Sequence, residues 1–204
     1  MKSAEIYDFL KSKYPSENLK KDLTDNFSFS VMGCRSYRKD ISKFLHFQQN
    51  PDELIGLIDL LKDKSIKNYM EIGIGFCTNI FFLDSLFRVI SGDYQQTVGI
   101  DIEDKSELFK EYQVKFPTCS FVKTDVLNYN FDRDYDYIFI DTNQRYRLMI
   151  KTFEKCLPHA RYIGFHDIAN GRWGAVQLFK ELSQKYEHWS WVKSGGGIGV
   201  VKVK

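Results

Sequence analysis

The segment Tyr69-Met70-Glu71-Ile72-Gly73-Ile74-Gly75-Phe76-Cys77-Thr78 carries the strongest chemical signal in the chain. It reads as the end of an apolar strand, a glycine turn and the start of a helix. Gly73 and Gly75 let the backbone turn sharply and approach a ligand with no Cβ in the way. The helix that begins near Cys77 adds free N–H groups at its N-terminus. A dinucleotide site would aim these at a pyrophosphate and would carry G-x-G-x-x-G. Here Thr78 stands at the third glycine position, and Glu71 lies two residues before the first glycine. A carboxylate there suits a cationic ligand group better than a pyrophosphate. A tight βα turn with no ligand would carry the same two glycines.

Three further acids extend the pattern. Asp101 closes Thr97-Val98-Gly99-Ile100-Asp101-Ile102, 26 residues after Gly75. A carboxylate at the tip of a second strand can hold both hydroxyls of a ribose. Asp125 follows Phe121-Val122-Lys123-Thr124, and Asp141 ends Tyr137-Ile138-Phe139-Ile140. Four successive strands thus end in or near an acid, at the edge where open α/β sheets bind ligands.

The fifth strand ends Ile163-Gly164-Phe165-His166-Asp167, with Asn170 just beyond. Asp141 and Asp167 would sit on neighbouring tips, and with Asn170 they could hold Mg²⁺ or another divalent cation. Such an ion lowers the pKa of a bound hydroxyl. His166 is the one histidine of four on a strand tip beside this site. Its ordinary pKa of about 6.5 suits a general base. A plainer reading has Asp167 capping a turn and His166 packing beside the sheet. Strand alternation would send His166 and Asp167 to opposite faces.

The elements that must position these residues are legible after residue 65. Strands are expected near 67–72, 96–101, 119–124, 135–141 and 160–166, and helices near 77–90, 105–116, 145–157 and 173–186. That alternation means βαβ units and a parallel sheet. The chain then ends with two strands, 189–192 and 198–203, around Ser194-Gly195-Gly196-Gly197, an antiparallel hairpin. Ahead of the sheet, Pro51-Asp52-Glu53 opens an amphipathic helix. Residues 1–25 read as polar helix broken at Pro15. The aromatic and basic stretch from Phe27 to Phe47 has no clear period, and it would serve as a lid. Residues 1–50 are therefore expected as a helical extension and 51–204 as the ligand-binding domain.

In motif order, over about residues 50 to 204, the sequence resembles the class I S-adenosylmethionine-dependent methyltransferases. Within them it looks most like the small-molecule O-methyltransferases of the cephalosporin-hydroxylase and catechol O-methyltransferase types. The residues that carry this are Gln49-Asn50-Pro51-Asp52-Glu53-Leu54, Glu71-Ile72-Gly73-Ile74-Gly75, Phe139-Ile140-Asp141, Phe165-His166-Asp167 and Gly197-Ile198-Gly199-Val200-Val201. The resemblance implies a Rossmann-like, mostly parallel sheet with helices on both faces. It implies S-adenosylmethionine as cofactor, its methionine part lined by Glu71, Gly73 and Gly75. It further implies ribose binding by Asp101, adenine flanked by Asp125 and Val126, and a cation between Asp141 and Asp167. Phe76, Thr78, Ile102 and Asp141 complete the candidate cofactor set. One departure stands out. Where the resembling enzymes carry a histidine or lysine base after strand four, this chain has Gln144. An amide cannot take a proton in that role, which leaves His166, beside Asp141, or a metal.

Composition bounds the rest. The chain has 204 residues, 43% hydrophobic and 27% charged, with 17 Phe and 12 Tyr, enough for a sizeable core. The net charge of +2 is spread without a basic block, so no nucleic-acid partner is expected. No apolar run is long enough to span a membrane. Cys34, Cys77, Cys119 and Cys156 stand far apart and form no metal-binding pair, which fits a reduced, cytoplasmic protein. The expected partner is a small methyl acceptor, a sugar or phenolic, with Arg145, Tyr146, Arg172 and Trp173 as pocket candidates. Two other readings stay open: a cofactor-binding module without turnover, and an NAD(P)-dependent oxidoreductase.

Overall fold

The computed structural model of the chain describes residues 2–29, 46–142, 145–169, 174–193 and 196–204. In chain order its first elements are α1 (Ile6–Lys13), α2 (Leu19–Asn26), two short strands β1 (Ser28–Phe29) and β2 (His46–Phe47), and α3 (Pro51–Leu61). Then follow β3 (Asn68–Ile72), α4 (Thr78–Ile90), β4 (Gln96–Asp101), α5 (Ser106–Lys115), β5 (Cys119–Lys123) and β6 (Tyr135–Ile140). The last elements are α6 (Tyr146–Cys156), β7 (Ala160–His166), α7 (Gly174–Leu182), β8 (Glu187–Trp191) and β9 (Ile198–Lys202). No described helix is long and apolar enough to cross a membrane.

Seven strands form one sheet in the order β5-β4-β3-β6-β7-β9-β8. Pairing is parallel from β5 to β7, and β9 runs antiparallel to both β7 and β8. The central strands are apolar on both sides, as a doubly covered parallel sheet requires. Met70, Ile72, Ile138 and Ile140 face α6 and α7. Tyr69, Tyr137 and Phe139 face α3, α4 and α5. The expected sheet, with helices on both faces and a closing hairpin, is the one observed.

Strand order reverses between β3 and β6, and a crevice opens at such a switch point. The two tips are tied there. The Asp141 N–H donates to the Ile72 carbonyl at 2.8 Å, and the Gly73 N–H donates to the Ile100 carbonyl at 2.8 Å. Gly73 has φ +80°, and a Cβ on it would run into the Asp141 carbonyl. Only glycine lets the β3 and β6 ends approach this closely.

The N-terminal helices cover α4. Residues 78–87 of α4 are all buried, the pattern of a helix packed on every side. Ile6, Leu10, Leu19 and Leu23 belong to the same core. Phe27, Phe47 and Phe82 meet edge to face with centroids 5.2–6.0 Å apart. Phe47 thereby fixes the chain just before α3. Residues 30–45 lie outside the described part, so the lid reading of the Phe27–Phe47 stretch stays an expectation.

One buried charge sets how α4 sits. Asp84 is fully buried and receives Arg88 through Nε at 2.7 Å and Nη2 at 3.0 Å. The Tyr112 hydroxyl of α5 donates to it at 2.7 Å and the Tyr94 hydroxyl at 3.2 Å. Removing one member of a buried, fully bonded ion pair costs about 3–5 kcal/mol, because its partner stays buried and uncompensated. Asp84→Ala should therefore lower the urea midpoint sharply with little change in slope. A midpoint within error of wild type would show that the network contributes no stability.

Candidate active site

Along the β3, β4 and β5 tips runs a cleft of about 420 Å³, lined by Gly73, Gly75, Asp101, Ile102, Asp125, Val126 and Asp141 among others. Seven of the ten candidate cofactor residues thus share one wall-to-wall space. Asp101 organises it. Its Oδ2 accepts the Ile74 N–H at 3.0 Å, and its Oδ1 accepts the Glu103 N–H at 2.9 Å. One carboxylate thereby pins the glycine turn to the β4 tip. Each oxygen keeps a second lone pair for a ligand hydroxyl. Asp125 caps the turn that follows it, accepting the Leu127 N–H at 2.9 Å, and so holds Val126 against the cleft. Ile102 is 71% exposed and offers the cleft an apolar platform.

The other candidate cofactor residues, Glu71, Phe76 and Thr78, line a smaller recess beside this cleft, together with Gln48, Gln49 and Asn79. Gly73 and Asp141 belong to both spaces. Glu71 is buried on the β3 strand and accepts hydrogen bonds from the Tyr69 hydroxyl and from Asn79 Nδ2, the latter at 2.9 Å. Burial pushes its carboxyl up to about 8, and Asp141 adds to the rise, while the two hydrogen bonds oppose it. A cation brought into the recess would favour its ionised form.

At the β6 and β7 tips, Asp141, His166 and Asp167 converge. His166 Nδ1 lies 3.2 Å from Asp141 Oδ2 and 3.8 Å from Asp167 Oδ2. Strand alternation predicted opposite faces for His166 and Asp167. The strand instead ends at His166, and Asp167 turns back with φ +61°. That left-handed residue brings both side chains to one side. Burial alone would lower the His166 pKa. The charges of Asp141, Asp167 and Glu53 and the hydrogen bond to Asp141 outweigh it and hold the imidazole at about 9. The same charges favour the imidazolium over the free base that the general-base role expected for His166 requires. Gln144 and Asn170, and the pocket candidates Arg172 and Trp173, lie outside the described residues.

The three groups each offer one ligand atom, all within 4.8 Å of one another. Two carboxylates and an imidazole make a fitting donor set for a divalent ion. The imidazole shifts preference from Mg²⁺ toward Mn²⁺, Fe²⁺ or Zn²⁺.

The fold is shared with solved methyltransferase structures. The chain is similar to the N-methyltransferase NodS from Bradyrhizobium japonicum WM9 in complex with S-adenosyl-l-homocysteine. Identity is 14%, coverage is 92% of this chain and 99% of that one, and the TM-score is 0.57. It is similar to an O-methyltransferase from Bacillus cereus in complex with SAH, at 18% identity and TM-score 0.53, covering 76% and 82%. It is also similar to the O-methyltransferase TomG from Streptomyces achromogenes in complex with SAM, at 16% identity and TM-score 0.53, covering 76% and 81%. The chain has the class I methyltransferase fold. No protein-family model matches its sequence, and no curated protein does.

On this methyltransferase fold, several site residues carry no obvious sequence signal. Glu53 is 1% exposed and accepts the Lys193 N–H at 2.9 Å and the Asn50 N–H at 3.4 Å. In the sequence it reads as a first-turn acid of a helix, within the Gln49–Leu54 motif. Gln49, 2% exposed, donates through Nε2 to Asp141 Oδ2 at 3.4 Å. Asn79 looks like an ordinary helix residue until its bond to Glu71 is seen. Lys105 lines the large cleft and is held by Glu103 at 2.7 Å.

Proposed function

We propose that the chain is an S-adenosylmethionine-dependent methyltransferase acting on a hydroxyl of a small molecule, a sugar or phenolic, with a divalent cation at Asp141, His166 and Asp167. One observation carries the reading: the large cleft and the polar recess share Gly73 and Asp141. A cofactor with its nucleoside in the cleft and its ammonium at the recess would bend across those two residues. Its sulfonium methyl would then face Asp141 and His166. Asp101 would take the ribose hydroxyls, Ile102 and Val126 would sandwich the base, and Glu71 would answer the ammonium. The ligands SAH and SAM named for the similar structures are consistent with this cofactor.

In the reaction the acceptor oxygen forms a bond to the methyl carbon while the carbon–sulfur bond breaks and its electron pair returns to sulfur, and the acceptor's proton passes to solvent water. Holding the two in line supplies much of the acceleration. Asp141, Asp167 and the imidazole of His166 would hold the cation, which when bound lowers the pKa of a hydroxyl that reaches it. The imidazole must give up its proton to serve as ligand, so metal affinity should rise with pH. The negative charge of Glu53 nearby favours a cation at this place as it favours the imidazolium.

The test is an acceptor screen with methyl-labelled S-adenosylmethionine, run with Mn²⁺, Zn²⁺, Mg²⁺ or a chelator. Label should pass to a hydroxylated acceptor, stop with chelator and return with Mn²⁺. Turnover indifferent to chelator would remove the metal from the account, and labelled amines with no labelled hydroxyls would replace the acceptor class.

A further inference from the structure

Gln49 precedes α3 and is fixed from both sides. Phe47 is locked into the aromatic cluster with Phe27 and Phe82. Asn50 is the N-cap of α3, its side chain accepting the Asp52 N–H at 2.9 Å. Between these anchors the Gln49 side chain is 2% exposed and enters the recess beside Glu71. Its Nε2 donates to Asp141. A carboxylate only accepts, so the amide must present its NH₂ there and aim its oxygen elsewhere. That oxygen, Oε1, is buried and has no hydrogen-bond partner among the described residues. A buried carbonyl left unpaired is costly, and native structures rarely keep one without a reason.

The recess around it has a defined chemistry. It measures about 10 Å³, room for one water-sized group. Glu71, Asp141, Gln49 Oε1 and Asn79 Oδ1, which is likewise without a partner among the described residues, offer it acceptors. No lysine or arginine lines it among the described residues. A small head group with three N–H donors and a positive charge satisfies all of this, and an alkylammonium has that description.

We infer that Gln49 is a cofactor-binding residue whose Oε1 accepts one N–H of the cofactor's ammonium, so that the segment before α3 closes the amino-acid end of the site. The inference rests on the proposed S-adenosylmethionine function and adds a residue outside the doubly wound core. Gln48 supports the same placement, its Oε1 lying 3.4 Å from where a Cβ on Gly75 would stand. The tip of the N-terminal segment therefore lies over the glycine turn.

Two ligands separate the parts. S-adenosylhomocysteine carries nucleoside and ammonium, whereas 5′-methylthioadenosine carries the nucleoside alone. Calorimetry on wild type and on Gln49→Leu and Gln49→Met, each shown folded by its thermal melt, gives the answer. Losing a hydrogen bond to a charged group should weaken S-adenosylhomocysteine by about tenfold to a hundredfold. Methylthioadenosine should bind all three proteins alike. Equal weakening of both ligands, or no weakening of either, would overturn the role of Gln49. Failure of wild type to bind either ligand would instead reject the proposed cofactor. If both variants fail to fold, desamino-S-adenosylhomocysteine on wild type replaces them, and an affinity equal to that of the parent ligand would overturn the inference.

Discussion

Asp101→Ala should bind S-adenosylhomocysteine at least two orders of magnitude more weakly than wild type. The carboxylate sits at the β4 tip with one lone pair on each oxygen already given to the Ile74 and Glu103 N–H groups. The remaining lone pairs are the ones a ribose diol would use. Hydrogen bonds to a charged acceptor are worth about 1.5–3 kcal/mol each, so two of them amount to roughly two to four decades of affinity. The substitution also releases Ile74 from the β4 tip, loosening the glycine turn that the ligand must meet. Calorimetry measures the loss, and a thermal melt checks that the sheet is intact. An affinity equal to that of wild type would place the ribose elsewhere.

Glu71→Gln should do two opposite things. The free protein should become more stable above neutral pH, and its affinity for the cofactor should fall. Burial holds the Glu71 carboxyl up at about 8, whereas an unfolded glutamate titrates near 4.3. Between those values the folded state keeps a proton that the unfolded state has lost. Stability therefore falls as pH rises from about 4.5 to about 8, by at most ~1.4 kcal/mol per pH unit. Glutamine keeps an oxygen for Tyr69 and Asn79 but has nothing to ionise. Melting temperatures from pH 5 to pH 9 should show wild type sloping down relative to the variant, with the gap widening up to pH 8. His166, held near 9, titrates in both proteins and largely cancels in the difference. Parallel curves would mean that Glu71 is ionised throughout. The binding loss follows from removing the carboxylate that answers the ammonium, and it should reach about tenfold or more.

The sheet was legible because its signals are local. Each parallel strand is a short apolar run that ends in or near an acid, and the glycine turn marks the first crossover. Asp101, Asp125 and Asp141 could be placed on one edge from strand order alone. What the sequence hid depends on backbone geometry or on distant partners. Asp167 faces His166 only because it adopts φ +61°, and alternation arguments fail one residue past a strand end. The raised pKa of His166 needs Asp141 and Glu53, which come from two other elements. Gln49 and Glu53 belong to the Gln49–Leu54 motif, but capping already accounts for Glu53 and nothing local shows that Gln49 turns toward Asp141. The N-terminal helices merge into the α4 core through Ile6, Leu10, Leu19, Leu23 and Phe27. Their apolar residues are few and widely spaced, and the helix they cover lies more than fifty residues further along the chain.

The central claim is that the cleft along Asp101 and Asp125, joined to the recess at Glu71, takes S-adenosylmethionine. Calorimetric titration of the wild-type chain with S-adenosylhomocysteine, in parallel with NAD, tests it directly. The account predicts saturable one-to-one binding of S-adenosylhomocysteine and no heat from NAD. Binding of NAD with no response to S-adenosylhomocysteine would contradict it.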